Sequence, residues 1–361
     1  VLANAGERRP VVIGNGAEGE PASAKDRTLL TRAPHLVLDG LQLAAEAVGA
    51  GSTYLYVAGD LADQLRGVLA TRTATGWDRV KVDVVVAPET FLAGEESTAV
   101  SWIEGKPALP RDKVRLVVES GVRRAPTLVQ NVETLAHLAL LARYGPDWFR
   151  QAGTAAEPGT FLATLSGAVS VPGVYEVPYG IPLSSLLARA GGQSAPLRGV
   201  LVGGYHGTWL PPAVDPELSR AGLAPYGASP GAGVVVALPS STCGLVESAR
   251  VARYLADQSA GQCGPCLNGL PRLADTLIRL ARSERDPGEH SRSRALAEAG
   301  TPHASSGLAA EVERLSGLVT GRGACHHPDG SVRFIRSALR VFANDIPAHL
   351  AGTCVVRRGH V

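Results

Sequence analysis

Methionine is absent from the whole chain, and only five cysteines occur in 361 residues. An odd, sparse set of thiols is not a secreted disulfide framework. It points to a reducing, cytoplasmic setting in which thiols are available for metal. No apolar run reaches the roughly 18 residues that a membrane span needs, so no direct membrane span is expected. Lys and Arg number 35 against 33 Asp and Glu, a net charge of +2. That balance supplies no basic field for nucleic acid and no acidic tail. No secretory signal opens the chain. Position 1 is Val, so an alternative start or a longer natural N-terminus is expected.

What is present is a concentration of thiols late in the chain. Cys263 and Cys266 form a C-x-x-C turn with Gly264 and Pro265 between them, and Cys325 follows two helical segments later, in Gly321-Arg322-Gly323-Ala324-Cys325-His326-His327. Thiolates gathered in this way hold a soft metal or an iron–sulfur cluster. Zinc on Cys263, Cys266, Cys325 and His326 is an alternative, as are three buried thiols without metal.

The front of the chain alternates strand and helix. Val11-Val12-Ile13 reads as a buried strand running into Gly14-Asn15-Gly16, followed by an acidic loop, Ala17 to Pro21. A helix is expected from Pro34, a strand at Tyr54–Ala58, a helix at Leu61–Leu69 and a strand at Val80–Val86. Such alternation predicts a parallel sheet covered on both faces. Gly94-Glu95-Glu96-Ser97 opens a further helix, where Glu95 and Glu96 would complement the helix dipole, and Asn131 is an ordinary N-cap choice for the helix after it.

From Thr154 to Gly159 the sequence reads as a linker. Phe161–Ser166 and Gly173–Val177 read as a hairpin, Leu183–Ala190 as a helix closed by Gly191-Gly192, and Val200–Gly204 and Gly233–Leu238 as strands. That order suggests a small β-grasp domain. Beyond Leu245 four amphipathic segments predict a helical bundle: one ending before the cysteine turn, then Leu270–Leu280, Leu308–Leu318 and Ile335–Leu350. The polar stretch Ser283–Ser306 reads as a solvated connection. Arg333, Arg336 and Arg340 read as a solvated face, with partner docking as the alternative. Cys243 and Cys354 lie outside these motifs and read as ordinary thiols, and His35 as structural.

Several of these stretches together resemble one family. Asn15-x-x-Glu18-Gly19-Glu20-Pro21, Lys25-Asp26-Arg27, Pro34-His35, Gly94-Glu95-Glu96-Ser97 and Asn131-Val132-Glu133-Thr134-Leu135 occur in the order found in the NADH-oxidising flavoprotein (F, or 51-kDa) subunit of respiratory complex I. Relatives of that subunit serve NAD-linked hydrogenases and formate dehydrogenases. Ser166-Gly167 and Pro172 to Pro178 resemble the family's soluble-ligand-binding β-grasp domain, and Ser259 to Cys266 with Cys325 its cluster loop. The resemblance implies an α/β fold: an FMN/NADH-binding parallel-sheet domain over 1–153, a β-grasp domain over 154–240 and a helical iron–sulfur domain over 241–361.

It also implies hydride transfer from NADH to FMN, then single electrons to a [4Fe–4S] or [3Fe–4S] cluster and onward to another electron-transfer subunit or iron–sulfur protein. By the same resemblance Asn15, Glu18, Phe91, Glu95, Glu96 and Asn131 line the flavin pocket, Glu20 faces the nicotinamide nucleotide, and Cys263, Cys266 and Cys325 hold the cluster. The expected location is cytoplasmic, reaching the inner face of a membrane through a complex.

The chain also departs from the family. The Gly-rich phosphate loop G-R-G-G-A-G-F-P has no counterpart before Asn15 and is expected upstream of Val1. Ala17 replaces an Asp, Phe91 a Tyr and Gln130 an Asn. Ala260 stands where the first cluster cysteine belongs, leaving Ser259, His326 and His327 as candidate non-thiolate ligands. The absent loop, Ala17 and Ala260 favour one alternative, a redox-inactive paralogue that assembles a complex; a zinc-stabilised binding module is another alternative.

Overall fold

The structure is a computed structural model, and it describes residues 1–4, 8–112, 114–282 and 307–356. The predicted connection Ser283–Ser306 lies outside the described residues. The chain divides into two compact units. One comprises Val1–Thr164, Gly173–Pro182 and Glu217–Ser219; the other comprises Leu165–Pro172, Leu183–Pro216 and Arg220–Val361.

The first unit is built on a four-stranded parallel sheet in the order β3-β2-β1-β4. Its strands are β1 (Val11–Gly16), β2 (Ser52–Val57), β3 (Asp83–Val86) and β4 (Thr127–Asn131). Helices α1 (Lys25–Arg32), α2 (Pro34–Val48), α3 (Gly59–Ala74), α4 (Glu96–Ile103) and α5 (Val132–Phe149) connect or follow them. The apolar run of β1 is buried on both sides, as a central parallel strand requires. Val12 joins a cluster with Leu41, Leu55 and Leu135, whereas Val11 and Ile13 join one with Tyr56 and Val100.

Two elements of this unit differ from the sequence reading. Lys25–Arg32 is helical although its mean hydropathy is low and its apolar face is little more than Leu29 and Leu30. β4 escapes a pattern-based reading because Thr127–Asn131 is short and abuts a strong helix. In addition, β3 starts at Asp83 rather than Val80, and α5 has a break at Gly145, where φ is 83°.

Strands β5 (Thr160–Gly167), β6 (Gly173–Pro178), β7 (Leu197–Val202), β8 (Thr208–Leu210) and β9 (Val234–Pro239) form a five-stranded sheet in the order β6-β5-β9-β7-β8. β7 pairs antiparallel with both β8 and β9. Helix α6 (Leu183–Arg189) and one turn, α7 (Arg220–Leu223), accompany them. Gly191 and Gly192 close α6 with φ of 75° and 81°.

The helical part of the second unit contains α8 (Gly244–Asp257), a turn of π-helix at Pro265–Gly269, α9 (Leu270–Arg282), α10 (Gly307–Val319), α11 (His327–Val341) and α12 (Ile346–Leu350). α9 packs on α8 and α10, and α11 packs on α8 and β8. The segment expected as one helix over Ile335–Leu350 is broken after Val341 by a 3-10 turn at Ala343–Asp345. Phe342 is buried there against the Trp209 ring. Arg333, Arg336 and Arg340 have partners within the unit: His206 O, Glu313 and Tyr226 O.

Candidate functional site

In the parallel sheet, the neighbours of β1 lie on opposite sides in the strand order, with β2 reached first and β4 last. The carboxyl ends of β1 and β4 therefore flank a topological switch point, where open α/β sheets bind ligands. Asn15 and Asn131 sit in register there, and Asn131 Nδ2 donates to Asn15 O at 3.3 Å. Asn15 Nδ2 donates to Gly94 O at 2.8 Å, which ties the end of β1 to the loop before α4. This loop and the one after β1 meet backbone on backbone. A Cβ on Gly19 would lie 2.2 Å from Phe91 O, and one on Gly94 would lie 2.6 Å from Ala17 O.

The carboxylates have distinct tasks. Glu18 accepts from Ser23 Oγ at 2.5 Å and from the amides of Asp26 and Arg27 at 3.2 and 3.3 Å, at the start of α1. Glu95 is the N-cap of α4: its Oε2 accepts from Thr98 N at 2.8 Å and Ser97 Oγ at 2.5 Å. Asn131 is the N-cap of α5, accepting from Glu133 N at 2.9 Å. The helix-start roles read for Glu95 and Asn131 thus hold in space. Glu20 is half-buried, with Oε1 accepting from Ala22 N at 3.2 Å, and Phe91 is likewise half-buried. Glu96, by contrast, is exposed.

Behind this rim lies a buried ionic group that single-residue reading did not assign. Lys25 Nζ lies 2.6 Å from Asp26 Oδ1, 3.0 Å from Glu133 Oε2 and 2.9 Å from Asn131 Oδ1. Asn131 Nδ2 donates to Asp26 Oδ2 at 2.8 Å. Burial raises the Asp26 carboxyl above its ordinary range, opposed by the Lys25 charge. Burial would lower Lys25, but Asp26 and Glu133 outweigh it and hold the ammonium charged. In the sequence its members stand in two separate motifs, Lys25-Asp26-Arg27 and Asn131-Val132-Glu133, with nothing to show that they meet.

The donor and acceptor set at the switch point fits FMN. Carboxylate and amide oxygens suit the hydroxyls of a ribityl chain and the ring N–H, and amide nitrogens suit ring carbonyls. A cleft beside it is lined by Glu95, Glu96, Ser97, Arg111 and Arg115.

In the second unit the cysteine turn follows α8. Leu267 N donates to Cys263 O at 2.9 Å as the chain enters the π-turn. Cys266 and Cys325 are buried and Cys263 is half-buried. Burial, then Cys263, which hydrogen-bonds it, and then Cys325 push the Cys266 thiol up to about 12. The fold therefore brings into electrostatic reach thiols that lie two helices apart in sequence. Cys263 and Cys325 both act electrostatically on Cys266, and a cluster held by these three thiols would take its remaining ligand from a non-cysteine source.

His327 is not such a source, because both of its ring nitrogens face protein. Nδ1 is 3.1 Å from His206 Nε2, and Nε2 is 2.8 Å from Leu255 O. His326 is exposed and Ser259 half-buried.

A parallel sheet with an acceptor-rich switch point and a helical layer with clustered thiols define a flavin- and iron–sulfur-type electron-transfer protein. Comparison with known proteins specifies the family. Residues 2–140 match the model of the Nuo51 FMN-binding domain, and residues 247–349 match the iron–sulfur binding region of NADH-ubiquinone oxidoreductase-F. The second F-type subunit of NADH-quinone oxidoreductase in Rhizobium meliloti is 29% identical over 352 residues, which are 93% of this chain and 79% of that one. The F-type subunit of the Streptomyces coelicolor NADH-quinone oxidoreductase is 27% identical over 96% of this chain and 77% of its own length.

Among solved structures, a chain of an NAD+-reducing [NiFe]-hydrogenase in the H2-reduced state superposes with a TM-score of 0.81 at 29% identity. The match covers 97% of this chain and 58% of the hydrogenase chain. The chain belongs to the family of NADH-oxidising F-type (51-kDa) flavoprotein subunits. No helix among the described residues is long and apolar enough to cross a membrane.

Proposed function

We propose that this chain is the electron-input subunit of a multi-subunit NADH oxidoreductase, and that it passes electrons to a partner electron-transfer subunit or iron–sulfur protein. The observation that carries this reading is the switch-point crevice of Asn15, Glu18, Glu95 and Asn131 in the same chain as the Cys263, Cys266 and Cys325 set. FMN supplies two-electron acceptance from NADH and one-electron release to an iron–sulfur cluster.

The protein supplies position and electrostatics. Glu18, Glu95, Asn15 and Asn131 hold the loops in place, so they set the shape of the flavin pocket together with Phe91. Glu20, on the rim, presents an acceptor to ribose or amide groups of the nucleotide, and Glu96 lines the flavin pocket. Lys25 offsets part of the charge of the buried carboxylates Asp26 and Glu133, which lessens the repulsion that a negatively charged ligand meets. Cys263, Cys266 and Cys325 are the cluster ligands. In functional terms the chain has three parts: flavin and nucleotide binding over 1–153, a β-grasp part over 154–240 and a cluster-bearing part over 241–361.

The test is anaerobic reconstitution of the full chain with FMN, iron and sulfide. NADH should bleach the blue absorption band of bound flavin, and iron and sulfide should be retained in comparable amounts. A chain that holds FMN stoichiometrically yet leaves its absorption unchanged with NADH refutes the reading. It would leave the redox-inactive assembly role, which Ala17 and Ala260 favour.

A further inference from the structure

We propose that Cys243, His349 and Cys354 form a second metal site, for a single zinc-class divalent ion. It uses none of the cysteines assigned above and does not depend on the proposed redox function. Among the described residues, this is the group of potential ligands whose donor atoms all lie within 4.8 Å of one another. Cys243 Sγ is 3.2 Å from His349 Nε2. Zinc bonds of about 2.3 Å to sulfur and about 2.0 Å to nitrogen in a tetrahedron place ligand atoms roughly 3.5–3.8 Å apart. The observed spacing closes on an ion with small side-chain shifts. Two thiolates and an imidazole select a soft or borderline ion and disfavour magnesium or calcium.

The surroundings are those of a built site. Cys243 is the N-cap of α8 and is buried. His349 is 1% exposed. Arg198 braces both sides: it pairs with Asp345 at 2.8 Å, four residues before His349, and donates to Ser240 O at 3.3 Å, three residues before Cys243. After α12 the chain reverses at Gly352, where φ is 81°, with Thr353 N donating to Ala348 O at 2.9 Å. That reversal returns Cys354 to His349.

Cys354 is exposed, so an ion can enter from solvent, and the fourth position is left for water or an added ligand. Cys243 and His349 are 106 residues apart in sequence. An ion here would clamp the last helix to the start of α8, the helix that runs into the Cys263 turn.

The experiment uses the full chain, purified anaerobically, loaded with zinc, dialysed, and assayed for zinc, iron and sulfide. Wild type, Cys354→Ser, His349→Gln and Cys263→Ser are compared. The wild type should retain one zinc per chain; Cys354→Ser and His349→Gln should lose it with iron unchanged. Cys263→Ser should keep the zinc and lose iron. Cobalt(II) in place of zinc should give a thiolate charge-transfer band that is absent from Cys354→Ser. Because Cys354 is exposed, its substitution leaves the fold intact, which circular dichroism verifies. Equal zinc in wild type and Cys354→Ser, no zinc retained by wild type, or loss of zinc in Cys263→Ser alone overturns the proposal. So does a mass lighter by two hydrogens, which would mark a Cys243–Cys354 disulfide.

Discussion

Replacing Lys25 with Met tests how the switch point is held together. Met keeps length and apolar stem but removes the ammonium, which leaves Asp26 and Glu133 without their shared cation at 5% and 15% side-chain exposure. Breaking a buried pair by removing one partner costs about 3–5 kcal/mol. With an m-value of about 2 kcal/mol/M in urea, the unfolding midpoint of the first unit should fall by roughly 2 M.

The cost should depend on pH in a definite direction. Without Lys25, burial raises the Asp26 carboxyl further, so the folded state holds a proton that the unfolded state has released. Stability of the variant therefore falls as pH rises from the unfolded carboxylate range through the raised folded value. Wild type should show this slope more weakly, because the Lys25 charge opposes the burial that raises Asp26; Lys25 itself loses its stabilising role only as pH rises through its raised folded value. Urea titrations at about pH 6 and about pH 8 read both effects. Lys25→Met with Asp26→Asn should recover most of the loss. A single variant within about 0.5 kcal/mol of wild type, or a double variant no better than the single, would refute the idea that this group is an ionic unit.

Gly19→Ala should force the loop after β1 away from Phe91 O, where the new Cβ would sit at 2.2 Å; FMN retention on gel filtration should drop while α-helical signal stays. Glu95→Ala removes the α4 cap and should cost about 1 kcal/mol, measured by urea unfolding, with weaker FMN binding alongside. Cys266→Ser should abolish retained iron, whereas Ala260→Cys should increase it after reconstitution, both read by iron analysis. Burial, and then His327 and Arg333, push His206 down to about 3. The unfolded state therefore binds a proton that the folded state refuses, so stability should fall as pH drops below about 6.5. His206→Gln should flatten that slope in thermal melts across the same range.

Much of this protein follows from local sequence. The β-branched run at Val11–Ile13, the Asn at the head of α5, the paired glycines after α6 and the C-x-x-C turn each dictate their own conformation through a few adjacent dihedrals. The ordered motifs from Asn15 to Cys325 carried the family. Lys25–Arg32 and Thr127–Asn131 were illegible, because the first is held by the helices it packs on and the second by its pairing with β1, rather than by periodicity.

What only the tertiary structure decided is which distant side chains share one spot. Cys243 and Cys354 read as unremarkable thiols until the reversal at Gly352 set them beside His349, and His327 ceased to be a ligand candidate once His206 and Leu255 occupied its nitrogens. A propensity acts over a few residues, whereas coordination and burial depend on distances that chain order does not encode.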